Sequence, residues 1–116
     1  MSPGRNAAIA FSEAAPVFAA LGEPTRLTLV AKLCAEGPLS IARLSDGAGV
    51  TRQAITKHLQ TLAGAGLVRA TRSGRERIWE LETKRLEKAR QCLDDISAQW
   101  DVAIARLRAF VEDGPE

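Results

Sequence analysis

The stretch TRQAITKHLQTLAGAGLVRATRSGRERIWEL, residues 51–81, has the pattern of a helix followed directly by a hairpin. Thr51 is a good N-cap, and Gly66 suits the left-handed conformation that often ends a helix. Between them the side chains divide into two faces at the helical period. The inner face contains Ala54, Ile55, His58, Leu59 and Leu62. The outer face contains Arg52, Gln53, Thr56, Lys57 and Gln60. The pattern predicts a helix that continues to about Ala65.

The second part of this stretch has the period of β-strands. Residues 67–72, LVRATR, alternate apolar and polar side chains, residues 73–74 are the turn dipeptide SG, and residues 76–81, ERIWEL, form the returning strand. Before residue 51, Ser40 is an N-cap candidate for a short helix that Gly47 and Gly49 end. Two short helices joined by a glycine-containing turn and followed by a hairpin are typical of a winged helix-turn-helix.

The charge of this region is concentrated and positive. Residues 51–77 contain six basic residues and one acidic residue, while the whole chain has a net charge of +2, so the rest of the chain is net negative. A basic segment on a mildly acidic body is the electrostatic pattern of a protein that binds a polyanion.

The N-terminal half has the signals of further short helices. It has no uninterrupted pattern of a signal peptide or membrane span, so we interpret the protein as cytoplasmic. Pro16 suits the first turn of a helix that Gly22 ends, and Pro24 suits the start of the next one. The apolar face of this second helix is predicted to contain Leu27, Val30, Ala31, Leu33 and Cys34. Glu13 and Pro16 interrupt the apolar N-terminal stretch, and no apolar run reaches the roughly 20 residues of a membrane span.

Residues 83–112 predict one long helix with two apolar positions in each heptad. Leu86, Leu93, Trp100 and Leu107 are seven residues apart, and Ala89, Ile96, Ala103 and Phe110 repeat the spacing three residues later. A helix of ~30 residues is ~45 Å long, which exceeds what a domain of this size needs for its own core. The pattern favours a dimer interface that contains Leu86, Leu93, Ile96, Trp100, Leu107 and Phe110. The alternative is a long helix that lies across its own domain.

The predicted fold class is mainly α with a small β-hairpin, a winged helix-turn-helix with a long C-terminal dimerisation helix. The domain covers residues 14–112, between an N-terminal tail of residues 1–13, partly helical or disordered, and a C-terminal tail of residues 113–116. The major groove of DNA admits one α-helix, and arginine, glutamine, threonine and lysine are groups that contact base edges and phosphates. The predicted DNA contacts are Arg52, Gln53, Thr56, Lys57, Gln60, Arg72, Arg75 and Arg77.

Three motifs carry a resemblance to a known family. ALGEPTRLTLVAKL, TRQAITKHLQTLAGAGLV and SGRERIWEL together resemble the ArsR/SmtB-like bacterial winged-helix repressors, over about residues 16–112. The resemblance implies a homodimer with the first and last helices in its interface. It also implies repression at palindromic promoter sites, relieved by an inducer, which here would be an unidentified small molecule. Family members often have a histidine at the position of His58, which implies a packing or hydrogen-bonding role; the alternative is a direct contact with DNA.

The chain departs from this family at the metal sites. Where many members have a cysteine pair before the recognition helix, this chain has Ser40 and Ala42, and its final helix has no histidine. A metal site normally needs three or four well-placed cysteine, histidine or carboxylate ligands, so no metal and no other cofactor is expected.

Two cysteines leave one alternative open. A branch of the family responds to persulfides through one cysteine in an early helix and one in the last helix, and Cys34 and Cys92 have that gross arrangement. Cys92 comes earlier in the final helix than that branch implies, and Cys34 fits an apolar helix face as an ordinary small hydrophobe. Possible redox residues are therefore Cys34 and Cys92.

Other classes of function fit the residues less well. The sequence has no metal-ligand cluster, no glycine-rich phosphate loop and no nucleophile beside a credible base, so we interpret the protein as a regulator and not an enzyme. A winged helix that binds proteins without DNA is the other alternative, but its outer helix face would be hydrophobic and not basic.

Overall fold

A computed structural model describes residues 3–114 of the chain. Within this range the protein is mainly helical, with a small antiparallel sheet and a long C-terminal helix, which confirms the predicted fold class. The elements in chain order are α1 (Pro3–Leu21), α2 (Pro24–Glu36), β1 (Leu39–Ser40), α3 (Ile41–Ser45), α4 (Arg52–Gly64), β2 (Val68–Ser73), β3 (Glu76–Leu81) and α5 (Thr83–Asp113). None of the helices in the described part of the chain is long and apolar enough to cross a membrane.

The helix-turn-helix is formed by α3 and α4, and its boundaries follow from local capping. Ser40 Oγ accepts a hydrogen bond from the Arg43 backbone N–H at 3.3 Å, and Thr51 Oγ1 accepts one from the Ala54 N–H at 3.1 Å. Each bond satisfies one of the N–H groups that have no partner within their own helix. Both predicted N-caps are therefore confirmed.

Gly66 follows the end of α4 and lies close to the side chain of Arg85 in α5. Its φ of +77° is in the left-handed region, as predicted. A Cβ atom at this position would lie 2.5 Å from Cδ of Arg85, in the first turns of α5. The Arg85 side chain is flexible and can move aside, so the positive φ is the reason that glycine suits this turn from α4 into β2.

The wing is the β2–β3 hairpin, which was predicted, with β1 added at its other edge, which was not. The strand order is β1-β3-β2, all antiparallel, and Trp79 lies opposite Leu39 in β1 and Ala70 in β2. Ser73 pairs with Glu76 across the turn, and Gly74 in the turn has a φ of +63°. A strand of two residues has no periodic pattern, so β1 could only be found through its pairing with β3.

The core lies between α1, α2, α4, the sheet and the first part of α5. Its fully buried large side chains are Val17, Leu44, Ile55, Leu59, Leu62 and Leu67. The inner face predicted for α4 is confirmed, because Ile55, Leu59 and Leu62 are buried while Ala54 and His58 are partly buried.

The predicted apolar face of α2 is wrong in part. Leu29, Val30 and Leu33 are buried, whereas Leu27 is 52% exposed, and Cys34 and Ala31 are exposed too. At about 100° per residue the apolar residues of α2 cover an arc of roughly 200°, and a helix on a domain surface buries only part of such an arc. The core selects the half that contains Leu29, which leaves Cys34 outside it.

The predicted start of a helix at Pro16 is also wrong, because α1 begins at Pro3 and includes Pro16. Ala14, Val17 and Ala20 are buried at the helical period on both sides of Pro16, while Pro16 and Ser12 are exposed. The proline removes one hydrogen bond to the carbonyl of residue 12, on the solvent side, and burial on the other side keeps the helix intact. The described residues of the predicted tail, 3–13, are thus helical, while Met1, Ser2, Pro115 and Glu116 lie outside the described range.

Helix α5 extends far beyond the rest of the domain. Its 31 residues span about 46 Å, and the described chain measures 71 × 36 × 20 Å. Only Ala89 and Cys92 of this helix are buried, near its N-terminal end where it packs against α1. Lys88 Nζ lies 3.3 Å from Glu13 Oε2 across this contact. The C-terminal two thirds of α5 therefore contribute little to the core of a single chain.

Candidate nucleic-acid interface

The outer face of α4 places its polar side chains in solvent. Arg52, Gln53, Lys57 and Gln60 are exposed, and Arg52 and Gln53 are the first two residues of the helix. Thr56 is partly buried, and its Oγ1 donates a hydrogen bond to the Arg52 carbonyl at 2.9 Å. The threonine hydroxyl can therefore only accept a further hydrogen bond, whereas the other four side chains are available in full.

The wing presents three further arginines. Arg72 and Arg77 are cross-strand partners in the β2–β3 ladder, Arg75 lies in the turn, and all three are exposed. Like charges directly opposite each other destabilise a sheet. None of the ion pairs within residues 3–114 includes these arginines, Arg52 or Lys57. The described part of the chain therefore does not compensate the like charges of this hairpin.

Arg77 has an aromatic support that orients it. Its guanidinium carbon lies 5.8 Å from the ring centroid of Trp79, within the range of a cation–π contact. Trp79 itself is buried and belongs to β3, the central strand of the sheet, so its position is fixed.

Arg69 differs from the other arginines of the basic segment. It donates to Glu80 Oε1 at 2.8 Å and to Glu82 Oε2 at 3.1 Å. The hydrogen bond to Glu80, with the charges of Glu80 and Glu82, raises the pKa of Arg69 above its ordinary value. Its charge is therefore compensated within the chain, and the basic surface is restricted to α4 and the outer part of the wing.

A polar contact that the sequence did not indicate joins α4 to the start of α2. His58 Nδ1 lies 3.3 Å from Arg26 Nη1 and 3.6 Å from Glu23 Oε2. Arg26 Nε also donates to the Ala20 carbonyl at 2.6 Å. We name Glu23, Arg26 and His58 the α2–α4 latch. The hydrogen-bonding role of His58 is confirmed, but its partner, Arg26, is 32 residues away along the chain, which no local motif indicates.

Glu23 is the N-cap of α2, and its charge is stabilised there. Its Oε2 accepts from the backbone N–H of Arg26 at 2.8 Å. This hydrogen bond is the main cause that lowers the pKa of Glu23 below 4.5, and the nearby His58 and Arg26 act in the same direction.

We expect Glu23→Gln to lower the melting temperature at pH 7. Because the folded pKa lies below 4.5, the carboxylate stabilises the fold above pH 4.5, and this contribution is lost as the pH falls through the folded value. The difference between the wild type and the variant should therefore shrink between pH 5 and pH 3, measured by thermal unfolding across that range. A difference that stays constant with pH would contradict this assignment.

The exposed part of α5 carries a line of large apolar side chains. We call Leu93 (50% exposed), Ile96 (44%), Trp100 (66%), Leu107 (62%) and Phe110 (63%) the apolar ridge of α5. Solvent-exposed apolar surfaces of this extent mark sites of association. Leu86, which the sequence placed in the same interface, is partly buried against the core of its own chain. Ile104 and Val111 are also exposed, lie seven residues apart and extend the ridge. The heptad pattern missed them because they directly follow the predicted positions Ala103 and Phe110.

The two cysteines lie in different environments. Cys34 is exposed on α2, whereas Cys92 is buried on α5, beside a groove of about 500 Å³ between α1 and α5. Both thiols are free. Across residues 3–114 no three histidine, cysteine, aspartate or glutamate side chains lie together where they could hold a metal ion. Ser40, one of the two residues that stand where the resemblance implies a cysteine pair, is the N-cap of α3.

Comparison with known proteins places the chain among transcriptional regulators. The helix-turn-helix domain family matches residues 21–70. An HTH-type transcriptional regulator of Mycobacterium tuberculosis is 36% identical over 75 residues, which cover 65% of this chain and 69% of the relative.

Solved structures agree with this placement. An ArsR-like transcriptional regulator of Rhodococcus sp. RHA1 superposes with a TM-score of 0.69 and 35% identity, over 86% of this chain and 93% of that one. A homodimeric winged helix-turn-helix DNA-binding domain of Mycobacterium bovis superposes with a TM-score of 0.61 and 27% identity, over 85% of this chain and 88% of that one. The chain belongs to the ArsR-like family of helix-turn-helix transcriptional regulators.

Proposed function

We propose that the protein is a homodimeric repressor that binds a palindromic operator, with α4 of each protomer in the major groove and the wing beside it. The observation that carries the proposal is the set of exposed arginines and lysine on α4 and the wing, which form no ion pair with the described carboxylates. Phosphates are the partners such a surface fits, and they supply most of the sequence-independent affinity for DNA.

The side chains divide by their position along α4. Arg52 and Gln53 stand at the N-terminal end of the helix, which meets base edges in helix-turn-helix proteins, and their side chains can form paired hydrogen bonds with guanine and adenine. Thr56 lies one turn further along, where it can still accept a hydrogen bond. We assign Lys57 and Gln60 to contacts with the DNA backbone. We assign the contacts of the wing, from Arg72, Arg75 and Arg77, to phosphates.

A second copy of the chain is the partner that fits the apolar ridge of α5. The ridge repeats at the heptad period that paired helices bury against each other. The Mycobacterium bovis relative is a homodimer, which supports the same assembly here. Two copies of α4 related by a twofold axis would contact two half-sites, and this is why we propose a palindromic operator.

We propose that the repressor acts in the cytoplasm. An unidentified small molecule releases it from DNA in this proposal. A thiol or persulfide switch between Cys34 and Cys92 is the alternative. The burial of Cys92 disfavours it, because reactive cysteines are partly exposed in electropositive surroundings.

We expect a variant with Cys34→Ala and Cys92→Ala to bind the operator with a dissociation constant within about twofold of the wild type, because cysteine packs as a small hydrophobe. Fluorescence anisotropy with and without added persulfide measures this. If persulfide releases the wild type while the double variant stays bound, the alternative function replaces the unidentified small molecule.

A direct test of the proposed function is selection of duplexes from a random-sequence pool by the wild-type protein. Enrichment of a palindrome with half-sites about one helical turn apart is the expected result. A pool that remains random after several rounds, although the protein binds DNA, would overturn sequence-specific repression.

A further inference from the structure

Arg26 is one side chain that contacts two other helices. It extends from α2, its Nε donates to the Ala20 carbonyl of α1, and its Nη1 lies 3.3 Å from His58 Nδ1 of α4. The Ala20 carbonyl belongs to the last turn of α1, where carbonyls have no donor within their own helix. The hydrogen bond to Ala20 therefore fixes one edge of the guanidinium, and the other edge faces α4.

The chemistry of the pair sets the direction of this hydrogen bond. Arginine has donors but no acceptor, so Arg26 donates to His58 Nδ1 in the tautomer that carries its proton on Nε2. Glu23 does not compete for the imidazole in this geometry. Its Oε2 accepts from the Arg26 backbone N–H at 2.8 Å, while its distance to His58 Nδ1 is 3.6 Å. The carboxylate therefore holds the backbone of the residue that donates to α4.

The contact between Arg26 and His58 adds a directional constraint to the packing of α4. Ile55, Leu59 and Leu62 fix how deeply α4 is buried, but apolar contacts are not directional. A rotation of α4 by about 20° about its axis would move side chains at a radius of ~6 Å by about 2 Å. Hydrogen bonds to base edges tolerate only a few tenths of an ångström. A directional contact on the flank of α4 resists this rotation.

We infer that Arg26 and His58 are positioning residues for DNA recognition, which set the rotation of α4 and so aim Arg52 and Gln53 at the base edges. The inference rests on the proposed function. Removal of the latch should lower the discrimination between the operator and other DNA. The affinity for random DNA should remain, because phosphate contacts tolerate small shifts.

The test compares two substitutions of His58 with side chains of similar shape, of which only one keeps an acceptor. Oδ1 of asparagine is two bonds from Cβ, as Nδ1 of histidine is, so His58→Asn keeps an acceptor for Arg26. His58→Leu places a methyl group there. Anisotropy titrations use the duplex selected by the wild type and a scrambled duplex. They give the discrimination ratio, which is the dissociation constant for the scrambled duplex divided by that for the selected duplex. Thermal unfolding reports whether each variant is folded.

We expect His58→Leu to lower this ratio about tenfold, as the loss of one aligned hydrogen bond to a base would. His58→Asn should keep most of the wild-type ratio. Arg26→Met, which leaves His58 in place, should lower the ratio in the same way. This variant provides the test if His58→Leu fails to fold. Equal ratios for the leucine and asparagine variants, or an equal loss of operator and scrambled binding, would overturn the inference. A wild-type ratio near one would instead overturn the proposed function on which it rests.

Discussion

Trp100→Glu should convert the protein to a monomer and lower its operator affinity by at least about 100-fold, because the joined pair of half-sites gains 10²–10⁴ in avidity over one. Trp100 is 66% exposed in a single chain and lies in the middle of the apolar ridge of α5. In the proposed dimer the new carboxylate would be buried without a partner, which is costly enough to separate the chains. Sedimentation velocity at micromolar concentration and anisotropy with the operator measure the two effects.

Ala105→Glu is the matched control for this variant. It adds the same charge to the same helix about 140° around its axis, away from the ridge. The control should remain a dimer and bind the operator as the wild type does. A wild-type chain that sediments as a monomer, or a Trp100→Glu variant that remains dimeric, would contradict the proposed interface.

The parts of the fold that could be predicted are those specified by neighbouring residues. Thr51 and Ser40 cap their helices through bonds three residues away, and Gly66 ends α4 through its own backbone conformation. The alternation in residues 67–72 and the SG turn likewise specify the hairpin. These signals are local, so the sequence contains them in full.

The parts that could not be predicted depend on contacts made elsewhere in the chain. Strand β1 exists because Leu39 and Ser40 pair with β3, about 40 residues away. Helix α1 continues through Pro16 because the burial of Ala14 and Val17 outweighs one missing hydrogen bond. The exposure of Cys34 depends on which half of a wide apolar arc on α2 meets the core.

The candidate DNA-binding surface shows the same division. The exposed positions on α4 follow from the helical period. The compensation of Arg69 by Glu80 and Glu82 and the contact between Arg26 and His58 follow from the tertiary fold. A count of basic residues could therefore locate the surface but could not tell which charges remain available for DNA.

The central claim is that α4 recognises sequence while the wing binds phosphate, and Gln53→Ala compared with Arg75→Ala tests it. A base contact carries about 1–3 kcal/mol of discrimination and little salt dependence. A phosphate contact acts on all sequences alike and contributes about 0.9 to the slope of log affinity against log salt. Both side chains are exposed, so neither substitution should disturb the fold.

The most direct measurement is a titration of both variants against the operator and a scrambled duplex at several salt concentrations. We predict that Gln53→Ala lowers the ratio of operator to scrambled affinity by roughly 5- to 150-fold with an unchanged salt slope. Arg75→Ala should weaken both duplexes about equally and reduce the slope by about one unit for each phosphate that is no longer neutralised. An unchanged ratio for Gln53→Ala, with the wild type discriminating between the duplexes, would contradict the orientation of α4 on DNA that we propose.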